Sequence, residues 1–184
     1  VLVVVGTMIN FGFWQLNRLD ERKASNAVVT VAMKQQPQPL STVLPAGPAA
    51  TTEQVKAADY QPVYVTGVYL VEAQVLVTNR TNNGAPGYWV VTPFVQADGT
   101  AVAINRGWVP YSYTADGPWD DFAPPSGTVT VQGLLRQSQV RETNGLVSSP
   151  TDPEVGTLRM LARLGVGRLA QQVEDQMISG YISF

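Results

Sequence analysis

The sequence predicts a mainly β fold, an antiparallel barrel or sandwich-like domain with short helices, placed behind an N-terminal transmembrane helix. Three observations carry this. No charge precedes Arg18. From Tyr60 onward, β-branched and aromatic runs alternate with Gly, Pro, Asn and Asp turns. Charged residues make up only 14% of the 184, against about a quarter in an average soluble domain.

The apolar run Val1–Trp14 is somewhat shorter than the ~20 residues a span needs, and a first residue other than Met leads us to expect that the natural chain starts upstream. A cleaved signal would end in a small-x-small site. This run ends instead in Trp14-Gln15-Leu16-Asn17-Arg18, the way a spanning helix meets the headgroup layer. A buried core helix is the competing reading. Trp14, Arg18 and Arg22 recur every fourth residue and share one helical face. As a set they read as an interfacial belt with snorkelling cations. Gln15 fits a helix contact better, and Gly12 beside it permits close approach of a neighbouring membrane helix. Residues 1–34 therefore read as the membrane anchor and its helical extension.

Residues 35–59, rich in Pro, Ala, Thr and Gln without periodicity, read as a connector or loop. Residues 60–184 form the β-rich domain. Its first strands are Tyr60–Leu70 and Ala73–Arg80, with Glu72 in the turn between them. Asn82–Gly87 is turn chemistry. Tyr88–Val95 and Ala101–Val109 follow, joined by Ala97-Asp98-Gly99, a hairpin signal. Another strand runs from Thr128 to Arg136 after a Pro/Gly/Asp loop. Alternation of Leu158, Met160, Ala162 and Leu164 favours a strand there, Val166–Glu174 a short helix, and Ile178–Phe184 a last strand.

The sequence contains no histidine and no cysteine. That removes most nucleophile–base pairs and most transition-metal sites, so an enzyme is the least favoured class and no metal ligands are assigned. A net charge of −2 gives nucleic-acid binding no electrostatic support. The four methionines are scattered, the acids at Asp116, Asp120 and Asp121 lack calcium-loop spacing, and Ser148-Ser149 has no histidine to activate it. The chain is expected to work by binding and positioning.

The stretch Asn105-Arg106-Gly107-Trp108-Val109-Pro110 carries the most information. Arg106 offers a bidentate partner for a carboxylate, Gly107 lets the backbone turn where a side chain would crowd it, and Trp108 supplies a large amphipathic surface. The plainer reading is a strand-end turn whose Arg caps carbonyls and whose Trp fills the rim. Arg80 ends a neighbouring strand, and convergence with Arg106 would strengthen the binding reading.

Taken in order, these blocks resemble the Surf1 family. Gly12-x-Trp14-Gln15-x-x-Arg18 with Arg22 is similar to its opening signature. Tyr60-x-Pro62-Val63, Asn79-Arg80, Gly87-Tyr88-Trp89, Asn105-Arg106-Gly107-Trp108 and Val131-x-Gly133-Leu134-Leu135-Arg136 follow in sequence. The segment Gly167-Arg168-Leu169-Ala170-Gln171-Gln172 looks like actinobacterial-type members. The resemblance implies an assembly factor or accessory subunit of haem-copper oxidase, chiefly cytochrome c oxidase. It also implies two membrane helices flanking an extracytoplasmic β domain, so a second helix is expected after Phe184. Implied partners are oxidase subunits, membrane lipid and, for a permanent subunit of a respiratory supercomplex, a bc-type complex. Arg80, Arg106, Gly107 and Trp108 become candidates for contact with an oxidase subunit or a haem propionate. Some members bind haem a with a membrane-segment histidine implicated. This sequence has no such residue, so no cofactor is assigned to the chain itself and haem a is expected only through a partner. The rival outside this resemblance is an extracytoplasmic ligand-binding module with no link to an oxidase.

Overall fold

The computed structural model describes residues 35–115, 117, 120–139 and 158–184; the anchor and its residues Gly12, Trp14, Gln15, Arg18 and Arg22 lie outside these. Among the described residues no helix is long and apolar enough to cross a membrane. The compact unit they form begins at Pro37.

Its strands are β1 (Gln38–Pro39), β2 (Pro62–Tyr69), β3 (Val75–Asn82), β4 (Ala85–Gln96), β5 (Thr100–Pro110), β6 (Val129–Gln137), β7 (Met160–Leu161) and β8 (Gln176–Ser183). Five close into a barrel in the order β2-β6-β8-β5-β4, with β4 returning to β2. The barrel is not wholly antiparallel as expected, because β5 and β8 run parallel from Thr100↔Gln176 to Asn105↔Ser183. Hairpin signals report only pairing between neighbours in sequence. β5 and β8 are separated by a long crossover that leaves no local mark.

One edge of β4 is divided. Val91 to Ala85 pair with β3, and Phe94 to Gln96 pair with β2. Closure brings β2 so near β4 that a Cβ at Gly67 would overlap the Val95 carbonyl. Only glycine fits there.

Alternation along β5 divides its side chains between two cores. Val102 and Ile104 point into the barrel with Val63, Val65, Phe94, Leu135, Ile178 and Ile182. Ala101 and Ala103 face a second layer with Val91, Met177, Tyr181, Leu161 and Leu164. Both faces of β5 are therefore buried, which explains its nearly unbroken apolar sequence.

Residues 38–58 depart from the expected connector. They hold β1 and two helices, α1 (Leu40–Val43) and α2 (Thr52–Ala57), and Leu40, Leu44, Ala50 and Val55 join the barrel core. α2 opens on a capping box: the Thr51 hydroxyl accepts from the Gln54 N–H at 3.3 Å, and Gln54 Oε1 accepts from the Thr51 N–H at 2.8 Å. Thr51-x-x-Gln54 is a start signal visible in the sequence, hidden by the Pro-rich surroundings. The alternating segment also differs. Only Met160 and Leu161 are strand, and the buried residues are Leu158, Leu161 and Leu164, three apart. They lead into α3 (Val166–Leu169) and cover the second core.

Candidate functional site

Two bulges shape the corner where β3, β4 and β5 meet. On β3, Val77 pairs with Trp89 but Arg80 pairs with Gly87, so Thr78 and Asn79 together oppose Tyr88. Asn79 takes φ +57°, a conformation asparagine tolerates. On β5, Asn105 pairs with Val91 but Trp108 pairs with Trp89, so Arg106 and Gly107 together oppose Val90. Gly107 takes φ +122°. The nearest atom to a Cβ built there would be Phe122 Cζ at 3.6 Å, an ordinary contact. Space is therefore available, contrary to the crowding expected from sequence, and it is the backbone angle that selects glycine.

A bulge re-aims the side chains around it. Asn105 lies on the Val91 face with the second core, Arg106 turns to the opposite face, and Trp108 returns to the face of Trp89. The Trp108 ring lies over Gly87, where any Cβ would overlap it and the Val109 carbonyl. Its indole N–H donates to the Arg80 carbonyl at 3.0 Å. Trp108 is thus an internal tie between strands. Asn105 completes the turn, accepting from the Gly107 N–H at 3.2 Å and donating to Ser183 Oγ at 3.3 Å.

Arg80 and Arg106 do not converge. Arg80 stacks on Trp89, with its guanidinium carbon 4.2 Å from the ring centroid, and donates to Gln139 Oε1 at 2.6 Å. Gln139 Oε1 also accepts from the Leu164 N–H at 3.1 Å, so Arg80 helps to clamp the 158–173 segment onto the sheet. Its Nε is buried without a hydrogen-bond partner. Burial lowers the Arg80 pKa, Tyr181 pulls it back up, and Arg163 lowers it further.

Arg106 sits across the sheet, at the end of the barrel. It donates to Gln74 Oε1 at 2.8 Å, to Thr92 Oγ1 at 3.4 Å and to the Phe122 carbonyl. The Thr92 hydroxyl donates to Gln74 Oε1 at 2.9 Å, closing a buried polar knot. The guanidinium lies 5.0 Å from the Phe122 ring centroid and 5.6 Å from that of Tyr69, which packs edge-on against Phe94. Burial lowers the Arg106 pKa and Tyr69 partly restores it; burial likewise raises the Tyr69 pKa. These three acceptors of Arg106 are all neutral. No carboxylate of the described residues pairs with it, although it borders an open cleft of about 440 Å³. Gln74 and Thr92 were not singled out from sequence. Thr92, a lone hydroxyl inside Val90-Val91-Thr92-Pro93-Phe94, was the available signal.

This arrangement does not fit haem. The sequence offers no imidazole or thiolate ligand. Arg80 and Arg106, on opposite faces of one sheet, cannot clamp the two propionates of a single porphyrin.

The domain is thus a closed five-stranded barrel whose bulges turn one arginine to a clamp on the sheet and another to an open cleft. The chain belongs to the SURF1 family, whose model matches residues 2–180. It is 30% identical over 170 residues to SURF1-like proteins of Mycobacterium bovis and Mycobacterium tuberculosis, an overlap of 92% of this chain and 59% of each of those proteins. It therefore spans less than two thirds of the length of these relatives. It is also 31% identical over 99 residues to the cytochrome oxidase assembly protein SHY1 of Saccharomyces cerevisiae, covering 53% of this chain and 24% of that protein.

Proposed function

We propose that this protein is a non-catalytic biogenesis or stabilising factor for aa3-type cytochrome c oxidase. It is held in the cell membrane by its N-terminal segment with the β domain on the outer face, and it acts there by contact with oxidase subunits. The observation that carries this is SURF1 family membership together with the similarity to the yeast oxidase assembly protein. The absence of histidine and cysteine supports a role without chemistry of its own. Arg106 borders an open cleft, and we assign it the contact. Gly107 and Trp108 hold it in place, and Arg80 secures the neighbouring strand.

The test is deletion of the gene, followed by haem a absorbance and oxidase subunit levels in the membranes. The expected result is a fall in assembled oxidase with the oxidase genes still transcribed, restored by the intact gene. Unchanged oxidase content would overturn the proposal. Recovery of the protein with mature oxidase at unit stoichiometry would reassign it as a permanent subunit.

A further inference from the structure

We propose that residues 158–173 form a strap that opens as one unit, baring the apolar layer beneath it while the barrel stays closed, with Gln139 as its latch. The strap contributes Leu158, Leu161, Leu164, Val166, Leu169 and Val173 to the second core and nothing to the barrel core. The barrel interior is therefore filled without it.

Its backbone attachment is slight. β7 is two residues long and pairs in parallel with β3 at the end of the sheet. The Leu76 N–H donates to the Arg159 carbonyl at 2.9 Å, and the Gln139 N–H donates to the Leu164 carbonyl at 2.9 Å. Further ties run through three side chains. Gln139 Oε1 accepts from the Leu164 N–H at 3.1 Å, and Ser138 Oγ accepts from the Val166 N–H at 3.0 Å. Gln172 Nε2 donates to the Ala73 carbonyl at 3.2 Å.

The strap has no internal structure that could outlast its docking. α3 is a single turn, Gly165 and Gly167 stand at its start, and the three-residue turn Ala170–Gln172 follows it. A helix this short does not persist alone. Losing the sheet beneath therefore loses the whole strap, which makes its opening cooperative. A cleft of about 240 Å³ already runs along one side, between Val166, Gly167 and Ala170 on the strap and Thr52, Met177 and Ser179 on the body. Contacts are forgone along that seam. Edge pairing, single-turn helices and sparse backbone bonds mark the low end of local stability.

The latch joins both sides at one atom. Gln139 Oε1 accepts from the strap at Leu164 and from Arg80 at 2.6 Å. Closure has an opposing cost there. Arg80 Nε is buried without a hydrogen-bond partner, and Arg163 on the strap lowers the Arg80 pKa, the effect of a like charge close by. This inference is independent of the oxidase reading, because its measurement needs no oxidase.

The test is native-state hydrogen exchange on the full-length natural protein in detergent, repeated at increasing low denaturant. The amides of Leu76, Leu164 and Val166 bond across the strap boundary. The Leu135 amide bonds the Gln61 carbonyl in the barrel wall at 2.9 Å. The three boundary amides should share one protection factor, at least tenfold below that of Leu135. Gln139→Ala should lower all three by a further tenfold and leave Leu135 unchanged. Leu76 and Val166 are the decisive readouts, because the Gln139 side chain bonds neither. Acceleration of Leu164 alone overturns the proposal, since it reports only a lost acceptor. So does one common rate for all four amides, which would make strap and barrel a single unit. If Gln139→Ala does not fold, the wild-type protein decides. Protection of the three amides must then fall with denaturant along one shared slope, shallower than that of Leu135 because less surface is exposed. Slopes equal to that of Leu135 overturn the proposal.

Discussion

The indole N–H of Trp108 donates to the Arg80 carbonyl at 3.0 Å, across the whole width of strand β4. Strands two apart in a sheet lie ~10 Å from one another, so a side chain bridges them only where the middle strand leaves room. Gly87 leaves that room, because its missing Cβ is where the Trp108 ring passes. Gly87 and Trp108 are thus one structural unit separated by a hairpin.

Replacing Gly87 by Ala should be among the most damaging single-methyl changes in the domain. The new Cβ meets the Val109 backbone carbonyl as well as the Trp108 ring, and the carbonyl cannot swing aside. Overpacking of this kind costs about 1–3 kcal/mol or more. Thermal melting followed by far-ultraviolet circular dichroism should show a clear drop. Gly84→Ala, where no atom lies within 4 Å of a new Cβ but φ is +82°, should cost only about 1 kcal/mol.

Trp108→Phe keeps much of the ring and loses the N–H. The Arg80 carbonyl then loses this donor at a half-buried site, and about 1 kcal/mol of stability should go with it. Denaturant unfolding should show a lower midpoint with an unchanged slope. An unchanged midpoint would mean the tie is incidental.

Much of the barrel was legible in the sequence because its strands are amphipathic or wholly apolar runs bounded by turn residues. Tyr60–Leu70 contains the observed Pro62–Tyr69, and Ala101–Val109 lies within the observed Thr100–Pro110. Three features were not legible, each for a physical reason. The parallel β5–β8 pairing depends on a crossover of many residues and leaves no local pattern. The segment before β2 looks like a linker by composition, yet Leu40, Leu44 and Val55 are buried because the barrel interior needs filling. The faces of Arg80 and Arg106 were hidden because each bulge shifts the period-two alternation by one residue. Asn79-Arg80 and Arg106-Gly107 do contain residues that accept the required backbone angles. That signal marks a bulge as permitted without saying that one forms.

The β4–β5 turn provides a pH-dependent test. Asp98 Oδ1 accepts from Thr100 Oγ1 at 2.7 Å and from the Thr100 N–H at 2.9 Å. These bonds, the side-chain one first, hold its pKa below the ordinary carboxylate value. A depressed folded pKa means that the carboxylate's stabilisation is fully present above the unfolded pKa and is lost as pH falls through the folded one. Asp98→Ala should therefore melt below wild type at neutral pH, and the gap should close as the solution is acidified through the carboxylate range. A gap that persists at low pH would assign the effect to backbone propensity.

Arg106→Ala separates a structural role from a contact role. Removing the side chain costs the bonds to Gln74, Thr92 and the Phe122 carbonyl. Gln74 Oε1 still accepts from the Thr92 hydroxyl, so the buried knot is not left unsatisfied. The change also removes a cation that burial disfavours, the reason the Arg106 pKa is lowered. These effects oppose one another, and a net loss of about 1–2 kcal/mol is expected. For a domain of this size that is a shift of several degrees in melting temperature, well short of unfolding. If Arg106 is the contact residue, the variant should fold, reach normal abundance, and yet fail to restore assembled oxidase in a deletion strain. Trp108→Phe, with a comparable stability loss and an intact Arg106, should restore it. Equal restoration by both variants would remove Arg106 from the contact surface and leave it as the cap of the barrel end.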